Sequence, residues 1–469
     1  MNQGKVYLIG AGPGDPGLLT CRAKQLLSEC DVVCYDKLVS AAILAIVPES
    51  VALHEVGYLG YQGTHIDYGM HPEVLDFALA GKRVARLKAG DPCIFGRTTE
   101  ECRDLNQLGI AYEIVPGITA ALGAASYSGF PLTSAGVASS VTFVSGHRNT
   151  HALEDWVSNG NKSGTLVLYM GAKKLAEHTQ YMMDSGVSPD LPIAVISSAT
   201  SANHQCIAGT VNTIAGIVEQ RGYIGPALVI AGEVVTQAND FDWRKHLPLS
   251  GSKVLVCGDY EHLTALRDLG AEVISISPSH VQSSIDLNTL NELTKEAALN
   301  FYDLAAFKAW WHALDRHNFD VRRFMMPLGS ADPMVKDAMR NVGIQSEPLN
   351  DNAKILTARA DFSANHDSAS GKHDVAGGKR DMLVIGEYSA SLPRFTLPDI
   401  AWVLVSNTAL FDTVKQQQPT ALQHTQFVAL NQDVQTWAMR NNINDLNTSS
   451  PWFLQGELVG SLEKGAYVD

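Results

Sequence analysis

The sequence predicts an α/β protein, with two α/β halves facing one cleft and then a further α/β domain. Three observations predict this. Short apolar runs ended by Gly or Pro alternate with stretches of helical periodicity. The chain opens on strand, glycine loop and helix in immediate succession. Its 469 residues suffice for about two to four domains.

The opening stretch, Lys5 to Thr20, carries Val6 to Ile9 as a buried strand and glycines at 10, 12, 14 and 17. Asp15-Pro16 is a helix start, because Asp accepts from free backbone N–H groups and Pro at the first helical position gives up no bond. Leu19, Ala23, Leu26 and Leu27 then follow at helical spacing. A dinucleotide fingerprint would need glycine where Asp15 stands, and no Gly-Lys-Ser/Thr of a phosphate loop follows. The loop suits a ligand without phosphates, including a cationic one. A tight turn without ligand accounts for a lone glycine loop equally well.

Val32 to Tyr35 is the second strand, and Asp36 stands at its carboxyl end, where ligands of open α/β sheets sit; a turn or cap role is the plainer reading of that aspartate alone. Val84 to Lys88 runs into Ala89-Gly90-Asp91-Pro92, then Phe95-Gly96-Arg97 and a helix bearing Glu100, Glu101 and Arg103. Tyr112 to Val115 is read as the fourth strand, followed by Pro116-Gly117 and small residues from Thr119 to Ala125 that allow close packing. Past Pro131 come runs at Val141 to His147, Thr165 to Gly171, Pro192 to Ser198 and Pro226 to Val235, each separated from the next by a helix. Residues 1–245 thus form two halves, about 1–130 and 131–245, with glycine-bearing strand ends on one cleft.

After a linker at Lys245 to Gly251, strands are expected at Val254 to Gly258 and Gly270 to Ser277, and a helix at Asp332 to Gly343, where Val335, Met339 and Val342 share a face. Residues 361–380 are polar and read as an exposed or disordered insertion. Met382 to Tyr388 and Ile400 to Ser406 resume the strands. Trp310 and Trp311 read as core.

The formal net charge of −14 disfavours nucleic acid and anionic membrane as partners. No apolar run is long enough to span a bilayer. The chain enters a strand without a charged-then-apolar leader, so the cytoplasm is the expected location. Seven cysteines without a CxxC pair fit reduced thiols, and the scattered histidines predict no metal site.

Several pieces together resemble the tetrapyrrole methylases, most closely the uroporphyrinogen-III C-methyltransferases. They are VYLIGAGPGDPGLLT, DVVCYDKLVS, RLKAGDPCIFGR, VPGITAALGAASYSGFPLT, VSGH, TLVLYMG and GEVV, in family order. The resemblance implies S-adenosylmethionine (S-adenosyl-L-methionine) as methyl donor, held at Pro13, Ala89, Gly90, Asp91, Ile94, Thr119, Ala120, Met170 and Ala199. It also implies a small-molecule tetrapyrrole substrate, Asp36 as proton acceptor and a homodimer. The product would be precorrin-2, feeding sirohaem or cobalamin. The chemistry is catalysis by positioning, with a base for the departing proton.

Departures fall on the substrate side. The family's Val-Gly-Lys-Arg is Val56-Gly57-Tyr58-Leu59, which puts Tyr58 where the family's proton-donating lysine stands. Its Pro-Leu-Thr-His-Arg is Pro131-Leu132-Thr133-Ser134-Ala135. Lost cations weaken recognition of a polycarboxylate. The departures admit a different or less acidic tetrapyrrole, slow turnover, or a tetrapyrrole- and cofactor-binding protein without turnover. Residues 252–469 resemble a degenerate uroporphyrinogen-III synthase through ALRDLGAEVISI, YDLAAF, DAMRNVGI and DIAWVLVSNTALF, which allows a bifunctional enzyme as a further alternative.

Overall fold

The computed structural model describes residues 4–443, apart from 49, 58–68, 147–152, 159–163, 224, 240, 259–262, 278–280, 303, 331–332, 349–352, 361–369, 376–377, 389–393, 431 and 442. The chain divides into two compact units. Among the residues up to Ser461, the first comprises Met1–Lys253 and Ala265–Val273, the second Val254–Thr264 and Ile274–Ser461.

The first unit contains two five-stranded sheets. One is built from β1 (Lys5–Gly10), β2 (Val32–Tyr35), β3 (Ala52–Glu55), β4 (Arg83–Lys88) and β5 (Ala111–Val115), in the order β3-β2-β4-β1-β5. Every pairing is parallel. Helices cover a parallel sheet on both faces, so its inner strands are largely buried; all four residues of β2 are buried and apolar, while the middle strand β4 also carries the buried cations Arg86 and Lys88. The other sheet holds β6 (Ser140–Ser145), β7 (Gly164–Tyr169), β8 (Pro192–Ser197), β9 (Gln205–Thr210) and β10 (Ala227–Ala231), in the order β6-β7-β10-β8-β9. Here β6 and β7 are parallel, while β10 runs antiparallel to both its neighbours and β9 antiparallel to β8.

β3 and β9 are absent from the sequence reading, and both are edge strands with partly exposed residues. An edge strand needs no continuous apolar run, so hydropathy does not reveal it. Tyr112 to Val115 is therefore the fifth strand, and the helix Ile214–Arg221 expected between β8 and β10 is present, with β9 inserted before it. The helix start also differs. Asp15 caps a 3-10 turn, Pro16–Leu18; Leu19 and Thr20 are extended, and Thr20 caps the α-helix Cys21–Glu29 by accepting from the Ala23 N–H. Lys245 lies in a 3-10 turn, Trp243–His246, instead of a linker.

The second unit begins with β11 (Lys253–Cys257) and β12 (Glu272–Ile276), followed by β13 (Val281–Ser283), β14 (Leu299–Phe301), β15 (Leu328–Gly329), β16 (Lys354–Ala360), β17 (Ser370–Val375), β18 (Gly378–Tyr388), β19 (Trp402–Val405) and β20 (Gln426–Ala429). One sheet has the order β12-β11-β19-β20; the other runs β13-β18-β16-β14-β15, with β17 paired to β18. The expected loop at 361–380 is thus in part a β-hairpin, since β17 and β18 pair antiparallel from Ser370↔Leu383 to Val375↔Gly378. Its polar sequence lacks the alternation that betrays a half-buried strand; residues 361–369 lie outside the described residues. Trp310 is fully buried among Phe301, Phe307 and Phe324, with Trp311 packed against the same core.

Candidate functional site

The ends of β1, β4 and β5 meet at three glycines. Gly12 and Gly90 exchange backbone hydrogen bonds (3.1 and 2.8 Å). A Cβ on Gly10 would lie 2.6 Å from the Gly117 backbone, and one on Gly117 only 2.4 Å from the Gly90 carbonyl oxygen. Side chains are excluded there, so the loop after β1 and the turn after β4 lie backbone to backbone. Asp91 braces that turn, accepting from the N–H groups of Cys93 (2.8 Å) and Gly117 (2.9 Å). The sequence reading set this carboxylate beside a cationic ligand; in the fold both its oxygens also serve the chain.

The second sheet closes on the same place. Tyr169, the last residue of β7, has its hydroxyl 2.7 Å from Thr119 Oγ1 and accepts from the Ala121 N–H (3.2 Å). Thr119 precedes the helix Ala120–Tyr127 without capping it through its side chain. Burial and the neighbouring Asp91 push the Tyr169 hydroxyl upward, so it remains a protonated donor. The Phe95 ring sits 5.0 Å from the Tyr169 ring, and Ile94 packs against the apolar cluster that holds Tyr169, with Ala120 and Ala199 beside it. Thr200 Oγ1 accepts from the Asp15 N–H at 3.2 Å. The Pro13 ring rests on Gly123, where a Cβ would fall 2.5 Å from Pro13 Cγ.

Six described non-glycine residues have positive φ, and five stand around this cleft: Phe95, Arg97, Met170, Ser198 and Thr200. Side chains resist that conformation, and such strain clusters where a site is preorganised. Met170 is also half exposed, with Leu38 and Phe95 as further exposed apolar side chains on the flanking loops. The sequence-derived residues Pro13, Ala89, Gly90, Asp91, Ile94, Thr119, Ala120, Met170 and Ala199 therefore lie on adjoining loops. Tyr58 lies outside the described residues, as does His147.

Asp36 leads to a feature the sequence reading missed. Its N–H donates to the Leu87 carbonyl beyond the end of β2, and Ser40, four residues on, donates to the Gly14 carbonyl (2.6 Å). Arg86 donates to Asp36 Oδ1 at 2.5 Å and to Glu101 at 3.2 Å, and Lys88 donates to Glu101 at 2.7 Å. Arg86, Lys88 and Glu101 are 5%, 5% and 4% exposed. Arg86 and Lys88 are two residues apart on β4, hence on one face, and the helix Thr98–Gln107 brings Glu101 onto it. Burial alone would lower the Arg86 pKa, but Asp36 and Glu101 more than reverse this and raise it. For Lys88, burial prevails over the attraction of Glu101 and lowers its pKa. The signal was present in two cations at strand period within an apolar run, which is costly unless paired.

Replacing Gly123 with Ala is expected to push into the rigid Pro13 ring. It should destabilise the first unit by about 1–3 kcal/mol, seen as a fall of several degrees in its thermal unfolding midpoint.

The profile of the Tetrapyrrole (Corrin/Porphyrin) Methylases matches residues 5–215. The siroheme synthase of Chromobacterium violaceum is 42% identical over 241 residues, 51% of each chain. The S-adenosyl-L-methionine-dependent uroporphyrinogen III methyltransferase of Methanosarcina barkeri is 40% identical over 237 residues, 50% of this chain and 93% of that protein. A solved structure of the Thermus thermophilus uroporphyrin-III C-methyl transferase, complexed with S-adenyl homocysteine, is 35% identical over 50% of this chain and 99% of that one, with a TM-score of 0.43. The chain spans about half the length of the siroheme synthases it matches. Since it covers nearly all of the Methanosarcina protein at that identity, the chain belongs to the tetrapyrrole methylase family.

Proposed function

We propose that residues 1–245 are an S-adenosylmethionine-dependent C-methyltransferase for uroporphyrinogen III or a related tetrapyrrole, leading to precorrin-2 and so to sirohaem or cobalamin. The observation that carries this reading is the backbone-lined cradle formed by Gly12, Gly90 and Thr119, with Pro13 on one side and Tyr169–Met170 on the other. Its residues fit the methyl donor: two glycines leave room for a close ligand, and the carboxylates of Asp15 and Asp91 suit a sulfonium and repel phosphate. When bound, S-adenosylmethionine supplies an activated methyl group.

The protein's share is orientation and one proton. The Gly90–Asp91 turn and the Thr119–Ala120 backbone would hold the donor, and Ile94, Met170 and Ala199 would enclose it. Asp36, 28% exposed at its side chain and fixed by Arg86, would receive the proton that the tetrapyrrole loses after the methyl group has been transferred. Tyr58, in the position of the family lysine, would donate a proton. Incubation with uroporphyrinogen III and methyl-labelled S-adenosylmethionine is expected to label the tetrapyrrole. No label, with donor binding intact, would exclude this substrate.

A binding protein without turnover is the second reading. It is favoured by the turn at Ser134, which pairs with Ala138 and accepts from Gln237, offering no cation where the family has two. In that case Tyr58→Lys with Leu59→Arg leaves turnover absent. We further propose that the functional protein is a cytoplasmic homodimer, and that residues 252–469 form a uroporphyrinogen-III synthase-like domain. Formation of only the spontaneous ring isomer from hydroxymethylbilane by the full chain would count against synthase activity. Among the described residues no helix is long and apolar enough to cross a membrane.

A further inference from the structure

Resting on the cofactor reading above, we propose that Tyr127 and Arg244 are positioning residues that set how tightly the Gly12–Asp15 loop receives S-adenosylmethionine. The loop is held at its base by the Gly12–Gly90 pair and farther along by Ser40 on the Gly14 carbonyl, Thr200 on the Asp15 N–H, and the Asp15 carboxylate. One oxygen of Asp15 accepts from the Gly17 N–H at 2.7 Å and the other from the Tyr127 hydroxyl at 2.6 Å. The tyrosine is fixed in turn. The Arg244 guanidinium carbon lies 5.1 Å from its ring centroid, and the Trp243 ring meets it edge-on at 5.4 Å. Trp243 is anchored by donating to the Ser126 carbonyl (2.9 Å).

Arg244 is 8% exposed, and burial lowers its pKa against the attraction of Tyr127, Asp242 and Asp15. A buried cation over a ring stabilises that ring's position. A chain of contacts thus runs from the 3-10 turn after β10, through the Ala120–Tyr127 helix, to the loop that carries Pro13. The same helix seats Pro13 on Gly123, so Tyr127 and Gly123 grip the loop from one helix, four residues apart. Neither Tyr127 nor Arg244 belongs to the proposed donor contacts; both act through Asp15.

The test is calorimetric titration of the full-length protein and its variants with S-adenosylhomocysteine, alongside steady-state kinetics and thermal melting. Tyr127→Phe deletes one hydroxyl and is expected to weaken binding about 5- to 20-fold. KM for the methyl donor rises in proportion, kcat moves by less than twofold, and the melting midpoint shifts only slightly. Arg244→Met is expected to act in the same direction, and Arg244→Lys, which keeps a cation over the ring, to restore binding to within about threefold. Binding within twofold of wild type in both Tyr127→Phe and Arg244→Met would overturn the proposal, as would a fall in kcat at unchanged KM. A wild-type protein that does not bind S-adenosylhomocysteine would overturn the functional reading and this proposal together. Intact binding that ignores the variants overturns this proposal alone.

Discussion

Replacing Arg86 with Met is expected to destabilise the first unit by about 3–5 kcal/mol and to abolish turnover even where the variant still folds. The estimate follows from the arrangement: Arg86 is the only group in contact with both Asp36 and Glu101 among the described residues. Its removal leaves Glu101, 4% exposed, with Lys88 alone, and leaves the Asp36 carboxylate without its cation, while the Asp36 N–H stays on the Leu87 carbonyl. Breaking a buried pair from one side costs more than the pair contributes, because the remaining charge stays out of water. Denaturant unfolding of the first unit gives the stability. The double variant Arg86→Met with Asp36→Asn checks the cause, since neutralising the carboxylate left without its cation should recover part of the loss in stability. Equal losses in single and double variants would rule out the buried charge as the origin.

Asp36→Asn is the second large effect, and it separates chemistry from architecture. The amide keeps an oxygen that can accept from Arg86 but cannot take a proton. Methyl transfer to the ring is then expected to fall about 10²–10⁴-fold, the usual share of general-base catalysis. S-Adenosylhomocysteine binding should stay within about threefold of wild type, because Asp36 reaches the glycine loop only through Ser40. Single-turnover assays with labelled donor and calorimetric titration read the two quantities. Unchanged turnover would remove Asp36 from the reaction and return it to the capping role that its sequence position also suggested.

The alternation of strands and glycine turns was legible in the chain because parallel strands covered on both faces must be apolar, as in β2. Two of the four edge strands of the first unit, β3 and β9, were missed because they are partly exposed and carry no continuous apolar run, whereas the edge strands β5 and β6 were read. The strand-end turns of the candidate site were legible through glycines, of which Gly10 and Gly117 leave no room for a side chain. The Arg86–Glu101–Lys88 network was hidden for a different reason. Arg86 and Lys88 stand out as two cations at strand period in an apolar run, but Glu101 looks like an ordinary helix-surface charge until the following helix places it on the same buried face. Tyr127 and Arg244 lie 117 positions apart in the numbering, too far for any local pattern to pair them. Likewise, Asp91 looked like a charge awaiting a ligand, because its backbone donors at Cys93 and Gly117 exist only in the folded turn.

The meeting of Gly10, Gly90 and Gly117 also constrains how this protein can change. A crowded side-chain core can be rescued by a second substitution that shrinks a neighbour. Here the neighbours are a carbonyl oxygen and α-carbons, which no codon can trim. A selection for suppressors of Gly117→Ala should therefore return true revertants to glycine and no compensating change at the other two positions.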